Sequence, residues 1–157
     1  EIDEYMNIEQ LHDIIAEKSP KLIEKTLKDI FSGKMISAVQ NHDAATVAAK
    51  IKKEDAKINW NLSAKDIHNL VRGVYKAPSA FTFYQGKLIK IMQTKALNDL
   101  SVGLKCGEVV SIAKQGIKVS TKNGILEIIK IKPEGKGEMF ARDWVNGSKL
   151  KVGDMFE

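Results

Sequence analysis

The stretch that decides the fold is Gly116-Ile117-Lys118-Val119-Ser120-Thr121-Lys122-Asn123-Gly124-Ile125-Leu126-Glu127-Ile128-Ile129-Lys130-Ile131-Lys132. Apolar and polar residues alternate on both sides of its centre, and a period of two is typical of strands with one buried face. The central Asn123-Gly124 pair is a strong hairpin signal, because both residues tolerate the positive φ that a type I′ turn requires. We therefore predict two antiparallel strands, 117–121 and 125–132, joined by such a turn.

Further short strands flank this hairpin in the sequence. Residues 80–84 and 87–96 surround Gln85-Gly86, which predicts a second hairpin, and residues 108–113 predict a fifth strand. A short helix is expected at 141–145, and the last residues are expected to add a closing strand. Five or six short antiparallel strands with one or two helices indicate the α+β class, with a small β-barrel of the oligonucleotide-binding (OB) type.

The N-terminal part of the chain has a helical period instead. Residues 7–33 predict two amphipathic helices, the first capped by Asn7 with Gln10 in a capping box, the second beginning at Ser19-Pro20. Gly33 is expected to end the second helix, and residues 35–40 to form a short strand or an extended segment. This apolar face has too little chain around it to form a core. We therefore expect the remnant of a larger α/β domain, cut from a longer protein.

These patterns divide the chain into three predicted parts. Residues 1–40 are the helical remnant, residues 41–60 a basic linker, and residues 61–157 the barrel domain. Within the last part, Ser63 and Asp66 make another capping box, which predicts a helix to about Tyr75.

Charge is unevenly distributed along the 157 residues, whose formal net charge is +5. Residues 1–43 carry five lysines and nine acidic residues, whereas the remainder carries twenty basic and eleven acidic residues. The basic remainder favours a polyanionic partner. The single Cys106 excludes an internal disulfide and a thiolate zinc site, and no apolar run approaches the roughly 20 residues that span a bilayer. We expect a cytoplasmic protein with no membrane segment and no metal.

The predicted strands also carry the candidate binding residues. Lys118 is expected to point to the other side of its strand from Ile117 and Val119. Lys130 and Lys132 are likewise expected to point away from the face formed by Ile125, Ile129 and Ile131. Ordinary polar-out alternation would give the same pattern, but only Glu127 interrupts the basic series. Lys114, Lys122 and Lys136 would lie at the strand ends.

Aromatic residues are scarce on these strands. Phe81, Phe83 and Tyr84 are the only cluster, and we expect at least one of the two phenylalanines in the core. Stacking of bases on an aromatic platform is therefore poorly supported. A basic surface with few aromatics favours recognition of a folded RNA through its shape and phosphates. No arrangement typical of an active site is present.

An ordered set of residues along the chain resembles methionyl-tRNA formyltransferase. The set is Lys50-Ile51, Lys53-Glu54-Asp55-Ala56, Ile58, Trp60, Arg72, Pro78-x-Ala80, Gly107-Glu108-Val109, Gln115-Gly116-Ile117-x-Val119, Asn123-Gly124-x-Leu126, Pro133-x-Gly135-Lys136, Met139, Asp143, Gly147 and Gly153. Leu11-His12, Leu22 and Thr26-Leu27 also resemble the last helices of that family's catalytic domain. The chain departs from the family at Tyr75-Lys76-Ala77-Pro78, where an Asn-Pro-Trp-Pro turn is usual, and at Asn59, where Asp is common.

The resemblance implies an enzyme that transfers a formyl group from 10-formyltetrahydrofolate to the amino group of methionyl initiator tRNA. The catalytic residues and the folate site of that family lie upstream of this chain, so none is assigned here. The resemblance implies that the C-terminal domain grips the tRNA, and we expect a monomer. The candidate tRNA-binding residues are Lys50, Lys52, Lys53, Arg72, Lys114, Lys118, Lys130, Lys132 and Lys136.

Two alternatives stay open. One is the C-terminal part of a related formyltransferase, or of a formyl-folate hydrolase, that acts on a small molecule. Such substrates present few phosphates and give no reason for a strongly basic half. The other is a stand-alone nucleic-acid-binding module, against which the unpartnered apolar face of residues 7–33 argues.

Overall fold

The first compact unit of the chain, residues 1–51, is built on a single long helix. The computed structural model describes residues 1–99 and 103–157, and its second compact unit is residues 52–157. Helix α1 (Ile8–Phe31) runs through Pro20, so the predicted break into two helices is wrong. Proline removes only one backbone donor, and good helix formers surround it. The Ser19 hydroxyl caps nothing and instead donates to the carbonyl of Ile15 at 2.7 Å.

Both predicted ends of this helical region are confirmed. The Asn7 side chain accepts from the Gln10 backbone N–H, and the Gln10 side chain accepts from the Asn7 N–H, each at 3.0 Å. Gly33 has a φ of +67° and its N–H donates to the carbonyl of Ile30, while Lys34 donates to Asp29. This pair of hydrogen bonds is a Schellman motif, which needs a left-handed residue at the glycine.

The segment after α1, predicted as a short strand or an extended segment, forms no strand. Residues 34–41 have no regular secondary structure, and a 3₁₀ turn follows at His42–Ala44. No residue of α1 is buried within the structure. No helix in residues 1–99 or 103–157 is long and apolar enough to cross a membrane.

The second unit confirms the predicted α+β class. Its antiparallel strands form one curled sheet, a half-barrel, in the order β1-β2-β5-β4-β3, with β6 paired to β5. Two short helices accompany the sheet. The elements are a 3₁₀ turn (Glu54–Ala56), α2 (Ala64–Gly73), β1 (Phe81–Tyr84), β2 (Lys87–Leu97), β3 (Val109–Ile112), β4 (Ile117–Ser120), β5 (Ile125–Pro133), β6 (Met139–Phe140) and α3 (Ala141–Ser148).

The last residues join the two edges of this sheet as an irregular segment rather than a regular strand. Glu157 and Phe83 exchange two backbone hydrogen bonds on the β1 side. On the β3 side, Phe156 donates to the carbonyl of Gly107, and Val109 donates to that of Asp154. A Cβ at position 107 would lie 2.7 Å from the carbonyl oxygen of Phe156, so this junction needs glycine.

The two hairpin turns differ from each other in their geometry, and the hairpin predicted at Gln85-Gly86 is confirmed. Gln85 and Gly86 both have positive φ, and they connect the paired residues Tyr84 and Lys87 as a type I′ turn does. At the other hairpin only Gly124 has positive φ, and four residues separate the paired strand ends. That hairpin is confirmed, but the type I′ prediction for Asn123-Gly124 is wrong.

Helix α2 packs on the inner face of the sheet. Ser63 caps it by accepting from the Asp66 N–H at 3.1 Å, and the helix ends at Gly73, two residues earlier than predicted. His68 of this helix is buried, and its Nδ1 lies 2.9 Å from Thr94 Oγ1. The stretch predicted as linker is not uniform, since its later residues enter this core. The largest fully buried apolar side chains are Ile67, Ile91, Val109, Ile117, Val119, Leu126, Ile128 and Ile131, and the core also includes Ala56, Ile58 and Trp60.

The pairing of β2 with β5 contains an irregularity that changes which residues face inward. The register pairs Ile91 with Ile131, Gln93 with Lys130 and Thr94 with Ile128, so it skips Met92 in β2 and Ile129 in β5. Leu126 and Ile128 therefore face the core before the irregularity and Ile131 after it, while Ile129 is only half-buried. The prediction that Ile125, Ile129 and Ile131 share the buried face is wrong, because a β-bulge reverses the alternation.

Candidate nucleic-acid interface

Lysines and aromatic side chains lie on the side of the sheet that faces away from the core, which we call the outer sheet face. Its residues alternate with buried ones along each strand, such as Thr82 and Tyr84 in β1 and Ile89 and Ile91 in β2. The outer sheet face consists of Phe81, Phe83, Lys90, Gln93, Lys95, Lys118, Glu127, Lys130, Lys132 and Phe140.

Three of the predicted tRNA-binding residues lie on this face. Lys118 is in β4, and Lys130 and Lys132 are in β5, beyond the bulge. Both β5 lysines follow the bulge and are two positions apart, so both side chains point outward. Strand alternation predicted one shared surface for these three lysines, as the structure has it, but it did not predict that Ile129 would be only half-buried.

A pair of lysines faces each other across β2 and β5. Lys90 and Lys132 are directly opposite in the register, and Lys90 is also opposite Phe81 of β1. Like charges at opposed positions of a sheet are destabilising, so this pair lowers the stability of the sheet. An unfavourable pairing of like charges, kept despite its cost to stability, is typical of a functional surface.

Farther along the same strands the charges are balanced. Glu127, which is 9% exposed, lies opposite Lys118 of β4 on one side and Lys95 of β2 on the other. Lys118 Nζ also lies 3.8 Å from Asp99 Oδ2. Two carboxylates therefore offset two lysines here, and the positive potential of the face is concentrated around Lys90 and Lys132.

The aromatic residues of β1 flank this basic region. Phe81 and Phe83 meet edge to face, with ring centroids 5.8 Å apart, and Lys57 Nζ lies 5.5 Å from the Phe83 centroid. Both rings are half-buried. The expectation that at least one of them belongs to the core fits Phe81 only in part, since this ring packs against the core from the outer side.

A further cluster surrounds β6. Phe140 is directly opposite Lys130 in the register, and Lys130 Nζ lies 5.6 Å from its ring centroid. Arg142 Cζ lies 5.0 Å from the same centroid. Arg142 also donates to the backbone carbonyl of Lys114 at 3.3 Å, which places the β3–β4 turn beside this cluster.

The remaining predicted site residues lie elsewhere. Arg72 is on α2, which packs against the inner face of the sheet, and its Nε donates to Asn69 Oδ1 at 2.9 Å. Lys52 and Lys53 are exposed just before the 3₁₀ turn, while Lys50 belongs to the first unit. The structure thus gathers part of the predicted set on the outer sheet face and separates Arg72 from it.

Lys136 lies in a different feature, a cavity of about 220 Å³. The β1–β2 turn, the loop after β5 and α3 form its walls, and Lys87 and Trp144 line it as well. Glu134 also lines the cavity and reduces its positive charge. Lys136 is therefore a loop residue at the end of the sheet, not a member of the outer sheet face.

The buried Tyr84 hydroxyl contacts an acidic residue near the C-terminus. It donates to Asp154 Oδ2 at 2.7 Å. Burial, followed by the hydrogen bond to Asp154 and the charge of that residue, raises the pKa of Tyr84 to about 12. The same hydrogen bond, helped by the Lys151 N–H, lowers the pKa of Asp154. Neither group exchanges a proton near neutral pH, so the pair fastens the C-terminal segment rather than serving acid–base chemistry.

The histidines do not build a metal centre. His12 is exposed with Asp13 3.6 Å away, and His68 contacts Thr94 in the core. Within residues 1–99 and 103–157, no group of three or more His, Cys, Asp or Glu side chains is arranged to hold a metal ion.

Several functional candidates on or beside the outer sheet face were not predicted from the sequence. Lys90 and Lys95 were missed because they join the face only through the pairing of β2 with β5, which the sequence does not show. Phe140 was missed because β6 follows a glycine-rich loop and spans only two residues, and Arg142 because it approaches the Phe140 ring from α3. The sequence did contain a signal, since the strand predicted at 87–96 carries Lys87, Lys90 and Lys95. Their spacing does not follow a period of two, so it assigns them to no single face of the strand.

Comparison with known proteins identifies relatives over the whole chain. Residues 50–149 match the family described as "Formyl transferase, C-terminal domain". The chain is 36% identical over 157 residues to a methionyl-tRNA formyltransferase of Clostridium perfringens, with 100% of the chain and 50% of that protein aligned. It is also 36% identical over 152 residues to that of Lactococcus lactis subsp. lactis, covering 96% of the chain and 48% of that protein.

Solved structures share the fold at much lower identity. A variant of HypX from Aquifex aeolicus superposes with a TM-score of 0.65 at 14% identity, over 92% of this chain and 26% of HypX. HypX in complex with tetrahydrofolic acid gives a TM-score of 0.61 at 15% identity, over 85% and 24%. The chain spans about half the length of the curated relatives it matches. It belongs to the formyl transferase family, whose C-terminal domain it matches over residues 50–149.

Proposed function

We propose that this chain is the tRNA-binding part of an enzyme that formylates methionyl initiator tRNA. The observation that carries the proposal is the outer sheet face, where Lys90 and Lys132 lie opposite each other and aromatic rings flank them. The named activity of the relatives supplies the substrate class. RNA phosphates are the ligands that offset clustered lysine charge most directly.

The domain would contribute to the reaction through binding alone. The formyl donor, 10-formyltetrahydrofolate, and the catalytic residues would belong to the half of the relatives that this chain does not cover. Contacts between lysines and tRNA phosphates would hold the methionyl amino group in place for transfer. Binding energy remote from the reacting atoms then offsets the entropy of aligning the two substrates.

The experiment is a binding titration of the chain with initiator tRNA, with an elongator tRNA beside it, over a range of salt. The test variant is Lys90→Gln plus Lys132→Gln. We expect tRNA affinity to fall by about tenfold, and the slope of affinity against salt to become shallower by roughly one or two. The melting temperature should stay constant or rise, because the substitution relieves repulsion between opposed like charges.

The matched control is Lys25→Gln plus Lys65→Gln, which removes the same charge from exposed positions on α1 and α2. We expect this control to keep most of the affinity. Unchanged affinity in the Lys90/Lys132 variant, with the fold intact, would show that the outer sheet face is not the contact surface. If the unaltered chain bound no tRNA at low salt, the related enzymes acting on small molecules would become the better account.

A further inference from the structure

Phe140 is exposed in a way that other aromatic residues of its unit are not. It is 44% exposed, whereas the other seven aromatic side chains of residues 52–157 are buried or half-buried. The ring lies on the outer sheet face, directly opposite Lys130. An exposed aromatic beside lysines is the combination that single-stranded nucleic acids bind.

The position of Phe140 in the chain is also unfavourable for local structure. It is the N-cap residue of α3, and its side chain makes no capping hydrogen bond. Ser, Thr, Asp and Asn are preferred at N-caps because their oxygens satisfy the free N–H groups of the first turn. The residue therefore gives up a cap and exposes a large apolar ring at the same position. Side chains that break a local rule without a packing gain are typical of binding sites.

Two cationic side chains lie beside the Phe140 ring. Lys130 Nζ lies 5.6 Å and Arg142 Cζ 5.0 Å from the centroid of the Phe140 ring. Each cation also has a carboxylate neighbour, since Lys130 lies 3.5 Å from Glu138 and Arg142 Nε lies 3.5 Å from Asp143. These are partly or fully exposed ion pairs, whose net contribution to stability is small. A phosphate can therefore replace either carboxylate at little energetic cost.

From this arrangement we propose that Phe140 stacks one unpaired RNA base while Lys130 and Arg142 contact the phosphates on either side of it. The inference rests on the proposed function and adds to it a contact with a base. Recognition of tRNA by this domain then involves an unpaired nucleotide as well as the backbone of a folded RNA. Stacking was not predicted from the sequence, because Phe140 lies outside the aromatic cluster of β1.

The test compares two RNA probes and two kinds of side chain. The probes are a single-stranded RNA of about ten nucleotides, within the usual site size of such domains, and a blunt duplex of equal length. The variants are Phe140→Leu, which keeps an apolar side chain but removes the ring, and Phe140→Trp, which keeps a ring. Phe31→Leu is the matched control, since Phe31 is 85% exposed and lies in the first unit.

We expect Phe140→Leu to weaken single-strand binding by about tenfold and duplex binding by less than about twofold, since stacking needs a free base face. Phe140→Trp should bind the single strand at least as well as the unaltered chain. Phe31→Leu should bind it equally well. Glu138→Gln should strengthen binding, because it removes a carboxylate that competes for Lys130.

Two results would overturn the stacking proposal while leaving RNA binding in place. One is full single-strand affinity in Phe140→Leu, with the chain still binding tRNA in a salt-dependent way. The other is an equal loss of affinity for single strand and duplex, which would indicate a general role in shape or folding. Absence of any RNA binding by the unaltered chain is a different outcome, because it would overturn the proposed function as well.

Discussion

The two units of the chain differ in where their apolar side chains lie. Helix α1 exposes a row of them, among which Leu22 is 66% exposed, and no residue of the helix is buried. The unit of residues 52–157 has a continuous core between α2 and a curled sheet, in which Leu126 and Ile128 are fully buried. The second unit is therefore stabilised by burial of apolar side chains, whereas the helix of the first is stabilised by local interactions such as its caps.

The largest expected effect tests this contrast with one substitution made in both units. Leu126→Ala should lower the free energy of unfolding by about 2–5 kcal/mol, because it removes buried methyl groups and leaves a cavity. Leu22→Ala should change it by less than about 0.5 kcal/mol, as expected for an exposed position. Urea unfolding followed by circular dichroism measures both. Equal losses would mean that Leu22 is packed in solution.

Much of the fold followed from the sequence because local chemistry determined it. The Asn7 capping box, the glycine at the end of α1 and the strands of 87–96 and 125–132 depend on neighbouring residues. Pro20 misled because a helix tolerates one missing donor when its flanking residues favour helix strongly. The β2–β5 bulge was not predictable, since it depends on how two strands distant in sequence fit together.

The candidate site was predictable to the extent that strand alternation determines it. Lys118, Lys130 and Lys132 could be assigned to one surface because they alternate with apolar residues on the two strands of one predicted hairpin. Lys90 enters the same surface through a non-local pairing, and Phe140 through a two-residue strand. A single sequence shows which residues can share a face of one strand or of one hairpin, but not which strands distant in sequence are neighbours.

A second, intermediate effect concerns the contact that fastens the C-terminal segment of the second unit. Tyr84→Phe removes the 2.7 Å hydrogen bond to Asp154 and should lower the free energy of unfolding by about 1–2 kcal/mol at neutral pH. The pKa of Tyr84 is about 12 in the folded chain against 10.0 ordinarily, so folding favours the protonated phenol. Its contribution is complete below pH 10 and is lost as pH rises towards 12.

The carboxylate partner has the opposite dependence. The pKa of Asp154 is lowered by folding, so its contribution is present above the ordinary range of an aspartate and is lost as pH falls. Urea midpoints measured across acid and alkaline pH should therefore differ most between the unaltered chain and Tyr84→Phe near neutrality. A constant difference across the whole pH range would show that the phenol and carboxylate are not coupled to folding.

The smallest effects, those of the helix caps, bear most directly on whether the two units are independent. Ser63→Ala removes the cap of α2, and it should lower the free energy of unfolding of the second unit by about 1 kcal/mol. Asn7→Ala removes an equivalent cap from α1, and we expect it to reduce helix content while leaving the cooperative unfolding midpoint where it is. Asn7→Asp and Ser63→Thr, which keep a capping oxygen, are the matched controls. If Asn7→Ala shifted the midpoint as far as Ser63→Ala does, α1 would unfold together with the core, and its exposed apolar row would have a packing partner in solution.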